Sequence, residues 1–192
     1  MLTRRLAAAA LTLGAITPAI AAEVAYNIDP EHTYPSFEAD HLGISTWRGK
    51  FNRSSGSLMF DKKKGTGTVD IVVDLASVDF GHDKLNEWAV GPEFFDVAKF
   101  PQAHFQGRLT GFKDGGKPHV AGQLTLHGVT HPIELAVDGF KCIEHPLSKH
   151  DYCGADALVT FSREDYGLAA GKDYGFSMKV TLRIQVEATA VE

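Results

Sequence analysis

The chain has 192 residues, which suits one domain, and a net charge of −5. It is acidic and has no basic run, so it lacks the electrostatic footprint of a nucleic-acid-binding protein. It also lacks the polybasic patch that holds proteins to anionic lipid.

The first residues have the features of a secretory signal peptide. An arginine pair precedes an uncharged apolar run over residues 6–16, and a small-x-small cleavage pattern ends at Ala21. A membrane anchor is the alternative, but a spanning helix needs about 20 apolar residues and this run is shorter. We expect residues 1–21 to be removed, which changes the net charge from −5 to −7 and leaves one domain over 22–192 in the periplasm.

The rest of the chain predicts an all-β domain, because short alternating runs are separated by Gly, Asp, Asn and Pro. We predict eight to ten strands: 24–29, 36–42, two within 43–60 with a break around 54–56, 68–75, 103–112, 120–129, 132–140, 157–163 and 176–188.

One segment does not alternate. Residues 82–90 have two large apolar side chains three positions apart, and we predict a short helix that ends at the following Gly-Pro pair. Phe94, Phe95 and Phe100 follow in a loop. An aromatic cluster of this kind more often fills a core than contacts a ligand. If it covered an opening of the barrel, it would do both.

The last predicted strand favours a closed barrel over a sandwich. Residues 176–188 alternate without an error and could extend for roughly 40 Å, whereas usual strands have about 5–6 residues. Long tilted strands are typical of barrels, and an eight-stranded barrel is wide enough for one small ligand. Near the middle of this strand, Met178, Val180, Leu182 and Ile184 are predicted to face that ligand.

Aromatic residues are frequent, with twelve Phe, five Tyr and two Trp. Phe37, Phe105 and Phe161 lie on apolar faces of predicted strands. An ordinary core would explain each one separately. Together they favour a lumen lined by apolar and aromatic groups, as in ligand pockets.

The two cysteines, Cys142 and Cys153, bracket a predicted loop between two apolar runs. In an oxidising compartment a pair of this kind is expected to form a disulfide. A metal site that combines both thiolates with His145 and His150 is the alternative, but its spacing matches no familiar zinc pattern.

No catalytic motif is present: the sequence contains no G-x-S-x-G, H-E-x-x-H, P-loop or G-x-G-x-x-G. His127 and His131 are four apart, but within a strand and turn they need not share a face. We interpret them as histidines beside a turn rather than as metal ligands. The prediction is that the protein has no catalytic residues and no metal site.

Four ordered blocks of sequence resemble the YceI-like family across essentially all of the chain after the leader. The blocks are "IDPEHTYPSFEADHLGISTWRGKF", "FFDVAKFPQAHF", "GQLTLHGVTHPIEL" and "FSREDYGL". The resemblance implies a lipocalin-like, extended eight-stranded antiparallel barrel with a short α-helix capping part of it. It also implies a lumen that binds a polyisoprenoid, such as an isoprenoid quinone or a polyprenyl phosphate, or a related long-chain amphiphile.

Alternation and resemblance together suggest a set of ligand-binding residues. They are Phe37, His41, Trp47, Phe51, Phe105, Leu126, Phe161, Arg163, Tyr166, Met178, Val180, Leu182 and Ile184. Among them His41, Trp47, Arg163 and Tyr166 lie in the family-like blocks near glycines and are candidates for head-group contacts. For Arg163 a structural salt bridge at a strand end is the alternative.

The predicted function is a binding or carrier protein for such a lipid, with no other cofactor. Two alternatives remain: a small-molecule enzyme acting on an amphiphile, such as a hydrolase or isomerase, and an accessory protein of a membrane b-type cytochrome. No nucleic-acid partner is expected. The oligomeric state stays open, with a homodimer among the options.

Overall fold

The computed structural model describes residues 23–113 and 116–191. The predicted signal peptide, residues 1–21, lies outside them. The strands are β1 Val24–Ile28, β2 Tyr34–His41, β3 Ser45–Phe51, β4 Ser54–Asp61, β5 Thr66–Asp74, β6 Val78–Asp79, β7 Gln102–Thr110, β8 His119–Leu126, β9 Val129–Glu144, β10 Asp151–Ser162 and β11 Lys179–Ala190. Helix α1 spans Asp83–Val90, and short 3-10 turns occur at Leu75–Ser77, Arg163–Tyr166 and Lys172–Tyr174. None of the helices in the described ranges is long and apolar enough to cross a bilayer.

Eight strands close into one antiparallel barrel in the order β1-β4-β5-β7-β8-β9-β10-β11, and β11 pairs with β1 to complete the ring. This confirms the predicted eight-stranded barrel. The remaining strands extend it at one end. β2 continues along the edge of β11 beyond β1, and β3 pairs with β2.

The ring is complete at one end, called here the base, and interrupted at the other, called here the mouth. At the mouth the sheet order ends β11-β2-β3-β6, and helix α1 packs beside β6. The predicted helix is confirmed: the His82 imidazole caps its first turn by accepting the Leu85 N–H at 3.3 Å. Phe95 of the following loop is buried in the same cluster as Ala89 of the helix.

The base is closed by an apolar core. Phe60, Phe112 and Phe140 meet in edge-to-face contacts with ring centroids 4.8–5.9 Å apart. Tyr26 is fully buried beside them, and its hydroxyl donates to Asp151 at 2.6 Å. Because this end is filled by side chains, any opening of the barrel must be at the mouth.

Several predicted strand boundaries were wrong. The break in 43–60 falls after Phe51 rather than around residues 54–56, because the chain bends at the end of β3 to pair with β1 instead of β2. The last strand begins at Lys179, not at residue 176. Strands β9 and β10 are longer than predicted, so the loop that the cysteines bracket is shorter and both cysteines lie within the strands.

Cys142 and Cys153 are bonded to each other, which confirms the predicted disulfide and shows that the zinc interpretation was wrong. The two residues are direct cross-strand partners, with Cα atoms 4.0 Å apart. The bridge therefore joins β9 to β10 next to the turn at the base.

Replacing both cysteines with alanine should lower the free energy of unfolding by about 3 kcal/mol, because a closed loop of this length restricts the unfolded chain by about that amount. Urea unfolding of the double variant and the wild type measures the difference. Wild type unfolded in excess reductant is the control and should match the variant. Identical midpoints in all three samples would contradict the stabilising role.

Candidate functional site

The barrel encloses a cavity of about 670 Å³ that is lined by β1–β5, β7–β11 and helix α1. Its wall is almost entirely apolar, with Ile28, Leu58 and Val120 toward the base and Phe37, Phe51 and Phe161 nearer the mouth. This volume is within the roughly 300–1,000 Å³ range of ligand pockets. The barrel is thus hollow between its filled base and its mouth.

Strand β11 shows the hollow interior most clearly. Its inward side chains Val180, Leu182, Ile184 and Val186 line the cavity, yet all four are only half-buried. Only Ala188, at the base, is fully buried. In a packed core an inward strand face would be buried along its whole length. Here it borders the cavity over most of the strand.

Glycines in the wall make room for aromatic rings. Gly107 and Gly122 are paired across β7 and β8, and a Cβ on either would lie 2.8 Å from the ring of Phe105. Likewise, a Cβ on Gly49 would lie 2.5 Å from the ring of Phe37. Both rings line the cavity, so the small residues let aromatic faces lie flat against the sheet.

Polar groups in the cavity wall collect at the mouth. The ends of β10 and β2 and the start of β11 lie at the same edge, since Ser162 pairs with Lys179 and Ala39 with Val180. The polar lining residues of this end are Asp40, His41, Glu93, Arg163, Tyr174 and Ser177. A long ligand bound here would have its chain in the apolar barrel and its polar end at this edge.

His41 is held in place by aromatic rings. It stacks on Trp47 with ring centroids 4.2 Å apart and an interplanar angle of 10°, and Phe176 contacts its edge at 5.0 Å. The two carboxylates of the mouth are also held: Asp40 accepts the Gly43 N–H at 2.9 Å, and Glu93 accepts the Trp88 indole N–H at 3.2 Å.

Arg163 is a buried cation that connects two segments at the mouth. Its guanidinium donates to the backbone carbonyls of Leu168, Ala170 and Ser177 and lies 5.6 Å from the ring centroid of Phe94. Burial lowers its pKa from the ordinary value. In the described parts of the chain its hydrogen bonds go to carbonyls, not to the carboxylate of a salt bridge. Arg163 thus ties the turn after β10 to the segment that leads into β11.

Most of the predicted ligand-binding residues line the cavity. They are Phe37, His41, Trp47, Phe51, Phe105, Leu126, Phe161, Arg163, Val180, Leu182 and Ile184. Contact between these side chains and a ligand stays a prediction.

Tyr166 and Met178 are placed outside the cavity wall, and the prediction for them needs correction. Tyr166 lies in a 3-10 turn, where its ring packs edge-on against Phe161 and His131 in the buried core. Burial raises its pKa. Met178 precedes β11, whose last cross-strand pair with β10 is Lys179 with Ser162, and it does not line the cavity.

The histidines considered as metal ligands have other contacts. His131 donates from Nε2 to the carbonyl of Asp165 at 3.0 Å, and His127 packs against the Phe100 ring at 4.3 Å. Phe100 therefore supports this turn, while Phe94 and Phe95 line the cavity. The loop thus provides both a core plug and part of the lining.

Four polar residues of the mouth were not predicted from the sequence: Asp40, Glu93, Tyr174 and Ser177. They lie in turns and strand ends where no periodicity marks a face. Their nearness follows only from the pairing of β2, β10 and β11. The one sequence signal that pointed here was the clustering of His41 and Trp47 with glycines in a single block.

Comparisons with known proteins agree with the fold. The sequence matches the YceI-like domain over residues 26–188. A UPF0312 protein of Vibrio parahaemolyticus is 35% identical over 138 residues, which are 70% of this chain and 73% of that protein. BcnA of Burkholderia cenocepacia has a similar structure, with a TM-score of 0.71 at 22% identity, covering 83% of this chain and 98% of BcnA.

A third protein is described as a polyisoprenoid binding domain from Saccharophagus degradans, implicated in plant cell wall breakdown. It has a TM-score of 0.65 at 21% identity and covers 88% of this chain and 99% of that domain. These structural likenesses establish the fold, and the domain match spans most of the sequence. The chain belongs to the YceI-like family.

Proposed function

We propose that this protein binds a polyisoprenoid or a similar long-chain lipid, with the chain in the barrel and the head group at the mouth, and carries it through the periplasm. The observation that carries the proposal is the apolar inner face of β11, which borders a cavity instead of a core. Each buried CH₂ contributes about 0.8 kcal/mol, so a long hydrocarbon gains affinity without specific polar contacts. The polyisoprenoid binding described for the Saccharophagus degradans domain, which has a similar fold, supports this class of ligand.

The charges of the mouth favour an uncharged head group. Asp40 and Glu93 line this end together with Arg163, whose guanidinium is already engaged by carbonyls. A phosphate would lie near two carboxylates, and juxtaposed like charges are costly. Tyr174 and Ser177 carry hydroxyls that are suited to donate to a carbonyl oxygen. We therefore favour an isoprenoid quinone, or another neutral amphiphile, over a polyprenyl phosphate.

Native mass spectrometry of protein purified from its own periplasm should show a noncovalent adduct, because an apolar cavity of this size is stabilised by a lipid chain. Extraction with organic solvent should remove the adduct and yield a polyisoprenoid lipid. The stripped protein should then take up an isoprenoid quinone more tightly than a polyprenyl phosphate of equal chain length. Protein isolated without lipid and unable to take up either compound would overturn the proposal. Tighter binding of the phosphate would overturn only the head-group assignment.

A further inference from the structure

We propose that the mouth of the barrel docks on the surface of a phospholipid bilayer through four exposed side chains, called here the lip. Leu42 and Ile44 lie in the turn between β2 and β3, Trp47 follows on β3, and Tyr174 lies in the 3-10 turn before β11. Their exposed fractions are 44%, 80%, 40% and 81%. Large apolar side chains exposed together at one site indicate an interaction surface.

The lip is one continuous patch at the opening. Trp47 and Tyr174 also line the cavity, so the patch and the cavity wall share side chains. Phe176 and the His41–Trp47 stack join the two segments that carry the lip, with ring centroids 4.2–6.4 Å apart. A Cβ on Gly175 would lie 3.8 Å from Leu42 Cδ2, which places the 3-10 turn directly beside the β2–β3 turn.

The residue types of the lip suit a lipid–water interface. Trp and Tyr combine an apolar ring with a polar tip and are enriched at membrane interfaces, and aliphatic side chains beside them would enter the acyl boundary. Leu42 has a left-handed backbone with φ of 59°, a conformation that is uncommon outside Gly, Asn and Asp. An aliphatic side chain is thus presented to solvent at a position where a polar residue would fit the turn better.

The charges around the lip point to a neutral lipid surface. Residues 38–50 contain two acidic and two basic residues, and residues 164–179 contain three acidic and two basic ones. With no positive excess, the attraction should come from apolar burial and not from anionic lipid. A second copy of the chain seated on the lip would cover the opening, whereas a bilayer would bring the opening to a lipid source.

Docking is measured with stripped protein and ligand-free vesicles of phosphatidylcholine, so its outcome does not depend on the proposed ligand. We expect the wild type to co-sediment with the vesicles. The variant Leu42→Asn/Ile44→Ser should lower the partition coefficient by about tenfold or more, because two apolar side chains no longer enter the lipid. Neither residue lines the cavity, so lipid uptake from solution should be unchanged. The matched control is Leu147→Ser, which alters a leucine that is 87% exposed in the β9–β10 turn at the base, and it should bind vesicles like the wild type.

A second measurement needs no change in the lip. In a Trp88→Phe background Trp47 is the only tryptophan of the chain, and brominated lipid should quench its emission. Absence of both quenching and co-sedimentation would overturn the proposal. So would equal losses in Leu147→Ser, or binding that requires phosphatidylglycerol and disappears at high salt. If the lip variant kept its vesicle binding but turned a dimer into a monomer in sedimentation velocity, the surface would instead serve a second copy.

Discussion

Leu182→Trp should remove lipid from the purified protein and leave the stripped protein almost as stable as the wild type. Leu182 lies mid-strand on the inner face of β11, is half-buried and borders the cavity. An added indole has room there, so it should compete with the ligand rather than strain the wall. The measurement is extracted lipid per protein together with thermal unfolding of the stripped forms. We expect little lipid and a melting temperature within about 2 °C of the wild type.

Two control substitutions separate this effect from a general effect of tryptophan. Val78 is buried beside α1 and does not line the cavity, so Val78→Trp should overpack it and cost about 1–3 kcal/mol. Leu158 is exposed on the outer face of the adjacent strand β10, so Leu158→Trp should keep both lipid and stability. If Leu182→Trp kept its lipid and lost as much stability as Val78→Trp, the inner face of β11 would be an ordinary core.

Arg163→Gln should lower the free energy of unfolding of the stripped protein by roughly 3 kcal/mol or more. Hydrogen bonds to a charged group contribute about 1.5–3 kcal/mol each, and the substitution removes the bonds to Leu168 and Ala170. At about 2–4 °C per kcal/mol the melting temperature should fall by roughly 6–12 °C. Arg163→Lys keeps the charge but loses the planar guanidinium with its several N–H donors. It should recover less than half of the stability that Arg163→Gln loses.

The matched control for Arg163 is Arg183→Gln on β11. Arg183 pairs with Glu38 on the exposed outer face, and exposed ion pairs contribute little to stability, so the melting temperature should hardly change. If Arg163 served only to bind the ligand, stripped Arg163→Gln would unfold like the wild type. That result would contradict the proposed role of Arg163 in holding the mouth in place.

The sequence was most informative where strands are long and have one face exposed to solvent. Alternation placed Val180, Leu182 and Ile184 on the inner face of one strand, and the structure has all three in the cavity wall. It failed for Met178 because period-two reasoning cannot show where the backbone leaves the sheet. That point is set by the last cross-strand pair of β11 with β10, Lys179 with Ser162, which the pattern around Met178 does not show.

The disulfide illustrates a different limit. The disulfide was predicted from the expected compartment and the cysteine count. The loop between the cysteines was predicted too long because the residues around Cys142 and Cys153 do not alternate cleanly. Their strands are continuations of β9 and β10, stabilised by cross-strand pairing and not by local pattern. The polar residues of the mouth could not be predicted either, because Asp40, Glu93 and Ser177 come together only in the tertiary structure.

The interrupted ring at the mouth has a mechanical consequence. At the base, every neighbouring strand of the barrel is joined by backbone hydrogen bonds, so widening that end would require breaking a ladder. At the mouth the sheet edge ends at β6, and no backbone ladder joins it to α1. The helix is held there by packing in the buried cluster and by Asn86, which accepts the Phe80 N–H and donates to the Asp79 carboxylate. Segments held by fewer backbone hydrogen bonds open locally at a lower free energy than strands within a ladder. We therefore expect this segment to open locally at a cost separate from the free energy that keeps the barrel folded.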